Sequence, residues 1–197
     1  MNGFKIDTSN RLFSIAADMI NQTDQTIFLT GKAGTGKTTF LKYIREHCSK
    51  QMAIVAPTGV AAINAGGVTI HSFFQLPLAP FIPVNKGQGF SPTGQEISNP
   101  HSLISRLRFN GEKKKLFQQL ELLVIDEISM VRADILDAID TVLRHVRRKF
   151  NERFGGVQLL FIGDMFQLPP VVKEPEWSLL SPYYASPYFF DSKVLKE

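Results

Sequence analysis

Cysteine is almost missing from this 197-residue chain, which carries one, Cys48. A lone thiol excludes an internal disulfide framework and a cysteine-rich zinc site, and Cys48 is expected on a helix face as packing. Long apolar runs are missing as well. No stretch reaches the roughly 18 residues that cross a bilayer, and the opening MNGFKIDTSN lacks the basic-then-apolar order of a signal peptide. A soluble intracellular protein with no membrane partner is the expectation. Charge of one sign is scarce too: 22 Lys and Arg against 18 Asp and Glu leave a net +4. That excess permits phosphate-backbone partners without demanding them. The dense basic run Lys113-Lys114-Lys115, behind Arg106 and Arg108, reads as a solvated face. No internal repeat is visible.

What is present is patterned apolar residue, 44% of the chain, enough to bury a core. Leu12, Ile15, Ala16, Met19 and Ile20 recur at helical spacing behind Thr8 and Ser9, which are expected to cap the helix. Four short apolar runs follow: Ile27 to Leu29, Ala53 to Ala56, Leu122 to Ile125, and Val157 to Ile162. Near-continuous apolar runs of this length suit strands buried on both faces of a parallel sheet covered by helices. Between the last two, Ile135, Leu136, Ile139, Val142, Leu143 and Val146 make a helical stripe. Arg144, Arg147, Arg148 and Lys149 gather at its C-terminal end, where cations complement the helix dipole. The fold class is therefore α/β. From about Leu76 to Asn110, five prolines and three glycines break any long element, and the segment reads as an insertion or exposed subdomain.

The residues Gly31-Lys32-Ala33-Gly34-Thr35-Gly36-Lys37-Thr38 fit the pattern of a phosphate-binding loop. Glycines let successive backbone N–H groups turn inward around phosphates at a helix N-terminus, where the dipole also favours negative charge. Gly31, Ala33, Gly34, Thr35, Gly36, Lys37, Thr38 and Thr39 are thus the expected nucleotide-binding set. Lys37 is expected on the β- and γ-phosphates, and the Thr38 hydroxyl on magnesium. A strand-like run before the loop and Phe40, Leu41 and Ile44 after it supply the strand-loop-helix context that the motif requires.

The run Leu122-Leu123-Val124-Ile125 ends in Asp126-Glu127, so a buried strand delivers two carboxylates to a sheet edge. Many buried strands end in an acid, but beside a phosphate-binding loop the pair acquires roles. Asp126 is expected to hold magnesium and Glu127 to orient and deprotonate an attacking water, which points to hydrolysis. A third strand runs into Gly163-Asp164-Met165-Phe166-Gln167-Leu168-Pro169-Pro170. Ligands lie at the carboxyl ends of such strands, so Gln167 is placed to report on the γ-phosphate, with an ordinary loop glutamine as the alternative.

The segments GKAGTGKTT, APTGVAA, TIHSFF, LLVIDEISM and GDMFQLPPV, in that order, resemble the Pif-type DNA helicases of superfamily one, relatives of the RecD group. The resemblance runs from about Asn10 to the end of the chain and is weakest across the insertion. It implies a RecA-like first motor domain over residues 1–197, ATP and Mg2+ as cofactors, and 5′-to-3′ movement on single-stranded DNA. It also implies roles in DNA repair, recombination and telomere maintenance; a bacterial cytoplasmic source is taken. It assigns Lys37, Glu127 and Gln167 to catalysis and Thr38 and Asp126 to the metal, in agreement with the residues read alone. It further places APTGVAA and TIHSFF along the DNA strand, making Thr58, Gly59, His71 and Phe74 candidate contacts. Judged without the resemblance, His71 reads as a structural histidine and Phe73 or Phe74 as core.

The insertion at about 76–110 occupies the place where relatives carry a small strand-separating wedge. The family's glutamine-bearing adenine motif is not clear, Asn10 lying near its expected position. Some thirty residues follow Gln167, and the second RecA-like domain with its arginine finger is missing from this chain, so the chain alone is not expected to unwind DNA. Tyr183, Tyr184, Tyr188, Phe189 and Phe190 fit either a place under the sheet or a face toward that absent domain. The competing reading is a nucleotide-dependent single-stranded DNA-binding module without significant turnover.

Overall fold

The computed structural model describes residues 10–84 and 96–197. Five strands, β1 (Ile27–Thr30), β2 (Met52–Ala56), β3 (Val68–Thr69), β4 (Leu122–Ile125) and β5 (Gln158–Gly163), form one sheet in the order β1-β5-β4-β2-β3. Every neighbouring pair is parallel. The helices are α1 (Arg11–Gln22), α2 (Lys37–His47), α3 (Gly59–Ala65), α4 (Ile70–Phe74), α5 (Pro100–Arg106), α6 (Gly111–Gln119), α7 (Ala133–Arg147), α8 (Glu174–Leu180) and α9 (Lys193–Lys196).

The register explains why the strand runs are apolar throughout. Ile27, Leu160, Val124 and Ile54 stand side by side across four strands and pack under α1 and α2 with Ile20, Phe40, Leu41 and Ile44. One residue on, Phe161, Ile125 and Val55 form the next row and pack against Leu136, Ile139 and Leu143 of α7 on the opposite face. Side chains alternate across a strand, so the central strands, covered on both faces, need apolar residues at nearly every position, buried Gln158 being an exception at the start of β5. The two-residue β3 has no such run, since Val68 is 46% exposed.

Several expectations are corrected. The cap of α1 is Asn10, whose side chain accepts from Leu12 N (3.1 Å) and Phe13 N (3.3 Å); Thr8 and Ser9 lie outside the described residues. Leu12, expected on the buried stripe, is 76% exposed, while Ala16, Ala17 and Ile20 carry the contact. Cys48 ends α2 at its C-cap, partly buried against the α1/α2 core, rather than lying on the helix face. Lys113 is not simply solvated: its ammonium stands 3.6 Å from the centroid of the Phe73 ring, and burial lowers its pKa.

The segment around 76–110 is rooted in the core at both described ends. Leu76, Phe81, Ile82, Ile97, Leu103 and Phe109 are all buried, and Phe81 bridges to Ser98. Residues 85–95 of that insertion fall outside the described part. Of the C-terminal aromatics, Tyr184 and Phe189 are buried; Tyr184 donates to Asp137 (2.9 Å), Phe189 packs on Phe161, and Phe190 remains half exposed. Among the described residues, no helix is long and apolar enough to cross a membrane.

Candidate nucleotide site and its surroundings

All the loops that matter leave the carboxyl ends of the strands, where open α/β sheets place their ligands. After β1 the chain turns through an exposed loop into α2. Gly34 (φ 79°) and Gly36 (φ 93°) adopt left-handed backbone there, which a side chain would oppose. Gly36 is the N-cap of α2 and has no side chain to occupy the first amides of the helix, which stay directed at the loop. The Lys37 ammonium reaches back across the loop to the carbonyls of Gly31 and Lys32, the latter at 3.0 Å. Thr35 Oγ1 donates to Lys32 O at 2.8 Å, tightening the same turn.

After β4, Asp126 accepts from Glu127 N (3.0 Å), and Glu127 itself is left-handed, φ 52°. A non-glycine residue in that region costs about 1–2 kcal/mol. Such strain collects where a side chain must be aimed. A 3-10 turn, Ile128–Met130, follows at once and packs onto Gly163, where a Cβ would come within 2.9 Å of Ile128. Glycine at 163 thus lets the acidic turn close onto the end of β5. Burial raises the pKa of Asp126, opposed by the Glu127 amide and by Lys37. Burial also raises that of Glu127, reinforced by Asp126 and Asp164 and opposed by Lys37. The carboxylates and the loop lysine therefore share one field.

After β5, Asp164 is buried and accepts from Phe166 N at 3.0 Å, while its carbonyl accepts from Gln167 N at 3.0 Å. This turn displays Gln167 at the surface. Thr38, Asp126, Glu127 and Gln167 come together as walls of one cleft of ≈ 720 Å³, with Thr58, Asn64 and Met130 beside them. Asp164, adjoining this cleft, was not singled out in the sequence. It ends an apolar strand just as Asp126 does, and that was the available signal.

Three of the residues proposed for DNA share a neighbourhood, and the fourth does not. Thr58 caps α3, accepting from Ala61 N at 3.2 Å, and its hydroxyl proton remains free to donate. Gly59 opens α3 and is exposed. His71 lines a second cavity of ≈ 370 Å³ with Thr58, Met130 and Arg132; burial and then Arg132 lower its pKa, so it is neutral near pH 7. Phe74 is a correction. It is 0% exposed and packed between Phe73 and Phe117, so it offers no face to a base. Phe74→Leu should lower the melting temperature by a few degrees, the effect of about 1–2 kcal/mol of lost packing, without changing DNA affinity. Calorimetry beside a DNA titration checks both halves.

The PIF1-like helicase profile matches residues 7–83 and 93–180. The chain belongs to that family. PIF1-like relatives include the ATP-dependent DNA helicase PIF1 of Saccharomyces cerevisiae (strain YJM789), 36% identical over 176 residues, covering 87% of this chain and 18% of that protein. The Homo sapiens ATP-dependent DNA helicase PIF1 is 39% identical over 150 residues, 76% of this chain and 20% of that protein. Among solved structures, Bacteroides Pif1 bound to ssDNA superposes with a TM-score of 0.79 at 44% identity, over 94% of this chain and 38% of that one. The Bacteroides Pif1 complex with ADP-AlF4 matches equally well, with a TM-score of 0.79 over 93% and 38%. The PIF1-like chain thus spans about a fifth of these curated relatives and under two fifths of these solved chains.

Proposed function

We propose that this chain is the ATP-binding and ATP-hydrolysing first motor domain of a 5′-to-3′ DNA helicase that acts on single-stranded DNA. The observation that carries this reading is the meeting of Thr38, Asp126, Glu127 and Gln167 in one cleft, beside a phosphate-binding loop spanned by Lys37. The loop amides of residues 31–36 and the first turn of α2 hold the β- and γ-phosphates, and Lys37 exchanges its two carbonyl partners for phosphate oxygens. Gln167 accompanies the γ-phosphate. Glu127 orients the attacking water and takes its proton.

The donor set suits magnesium: one hydroxyl and one carboxylate leave room for phosphate oxygens and water, as that ion prefers. Among the described residues no cluster of three or more His, Cys, Asp or Glu side chains forms an all-protein cage. Thr38 and Asp126 would hold the ion, which neutralises charge on the phosphates. Thr58, Gly59 and His71 would meet the DNA strand, the neutral imidazole as a hydrogen-bond donor rather than a charge. The 76–110 segment would serve as a strand-separating wedge, and a second RecA-like domain would complete the cleft.

The competing reading, a nucleotide-dependent single-stranded DNA-binding module with negligible turnover, has one observation in its favour. No arginine is among the described residues that wall the cleft, and an arginine finger is worth about 10³–10⁵ in related NTPases. Phosphate release measured with and without single-stranded DNA, beside a Lys37→Ala control, decides between them. DNA-stimulated release absent from the control supports the motor domain; none in either supports the binding module.

DNA affinity of this chain should be micromolar or weaker and should fall as salt rises, because Thr58, Gly59 and His71 offer few contacts to phosphates. Fluorescence anisotropy with a labelled oligonucleotide at two salt concentrations measures it. His71→Ala should weaken binding at an unchanged melting temperature; equal affinity in both proteins would return His71 to a structural role.

A further inference from the structure

Arg132 stands five residues after Glu127, at the N-cap of α7, and its side chain is 15% exposed. It grips Asp134 with two parallel bonds, Nε to Oδ1 at 2.8 Å and Nη2 to Oδ2 at 2.6 Å. Its remaining nitrogen, Nη1, holds Glu176 of α8 at 2.8 Å. The planar fork makes such a double grip geometrically exacting. Asp134 is fully buried, and its Oδ2 also accepts the Phe81 amide at 3.0 Å.

Three segments meet at the Arg132–Asp134 pair. The first is the acidic turn, closed by Met130 N to Glu127 O (3.1 Å) and Val131 N to Ile128 O (2.9 Å), so Glu127 and Arg132 are joined by a short bonded path. The second is the stretch from Gln167 to Glu176, stiffened by Pro169, Pro170 and Pro175. The third is the root of the insertion at Phe81. Trp177 packs against Ala133, Leu180 and Tyr184 beside the bridge, so α8 is held by apolar contact as well.

We propose that Arg132 is a positioning residue for γ-phosphate sensing: through Glu176 it fixes the segment that carries Gln167 against the turn that carries Glu127. With that tie in place, Gln167 holds a set position in the wall of the cleft and meets the γ-phosphate without first being ordered. Without it, the Gln167 segment keeps its turn onto Asp164 at one end and its apolar hold at the other, and contact with the γ-phosphate must supply the rest of the ordering. This inference rests on the role proposed above for Gln167.

The test is the preference of the full chain for a triphosphate over a diphosphate, read as dissociation constants for ATPγS and ADP with magnesium. Glu176→Ala removes one arm and leaves the buried Arg132–Asp134 pair intact. It should cut the preference for ATPγS about fivefold or more, in the range of ordinary coupling between sites, while ADP affinity stays within about twofold. Glu176→Gln, which keeps one acceptor for Nη1, should recover part of the loss. In a double mutant with Gln167→Ala, the preference should fall no further than in Gln167→Ala alone, because the two residues act in series. A wild-type preference in Glu176→Ala, or losses that multiply in the double mutant, would overturn the proposal. If Gln167→Ala alone kept the full preference, the sensor role itself would fail, and the inference with it.

Discussion

Glu127→Gln should lower ATP hydrolysis by about two to four powers of ten while nucleotide affinity stays within about twofold. The amide keeps the shape of the side chain and its place in the left-handed turn, but it cannot accept a proton from water. Phosphate release from labelled ATP, with protein in excess over nucleotide, gives the rate; displacement of a fluorescent nucleotide gives the affinity. Asp126→Asn should behave differently, weakening the response to magnesium more than the chemistry at saturating metal. The two carboxylates adjoin in sequence and share a field in which burial raises both pKa values, so the contrast between their variants is what separates their roles. A Glu127→Gln protein that failed to bind nucleotide would show that the carboxylate belongs to the metal instead.

Lys37→Ala should weaken nucleotide binding at least tenfold, since each charge-assisted hydrogen bond to phosphate is worth roughly 1.5–3 kcal/mol. The loss should be greater for a triphosphate than for a monophosphate, which lacks the β- and γ-oxygens that the ammonium is expected to meet. Titration with a labelled ATP analogue reads it. The variant also removes the ammonium that now joins the carbonyls of Gly31 and Lys32. Its melting temperature without nucleotide therefore belongs in the same experiment. Unchanged affinity would remove the phosphate-binding role from the loop.

The strands β2, β4 and β5 were legible because a sheet buried on both faces writes itself as near-continuous apolar residue, a local signal, while the edge strand β1, with Phe28 40% exposed, showed as a short apolar run ahead of the glycine-rich loop. The strand β3 was not, having two residues and a half-exposed valine. The glycine-rich loop that leads into α2 was legible for the same local reason: its glycines, lysine and hydroxyl lie within eight positions. What sequence could not carry was contact across distance. Phe74 lies in a motif expected to face DNA, and the ring that helps bury it, Phe117, comes 43 residues later. The prolines of the 76–110 segment announced broken structure, but nothing local told that Phe81 would hand its amide to Asp134, 53 positions away. The left-handed backbone of Glu127 was equally silent, because glycine is the residue that advertises such a conformation and glutamate is not.

Asp134, Asp137 and Asp140 recur every third residue on α7, and each of them takes hold of a different stretch of chain by its main-chain N–H: Phe81 by the first, Lys193 and Val194 by the second, Phe154 by the third. An amide hydrogen is the same whatever side chain stands above it, proline excepted. Through these amide bonds the helix reads the path of the segments rather than their lettering, which it meets separately through Tyr184 on Asp137. Lys193, the one exposed residue among these donors, is free to change and so to take on new contacts, while Phe81, Phe154 and Val194 are held by the core as well as by their amides. The converse also holds: a proline at any of those four positions would remove the amide hydrogen itself, the one part of the footing that no other substitution deletes.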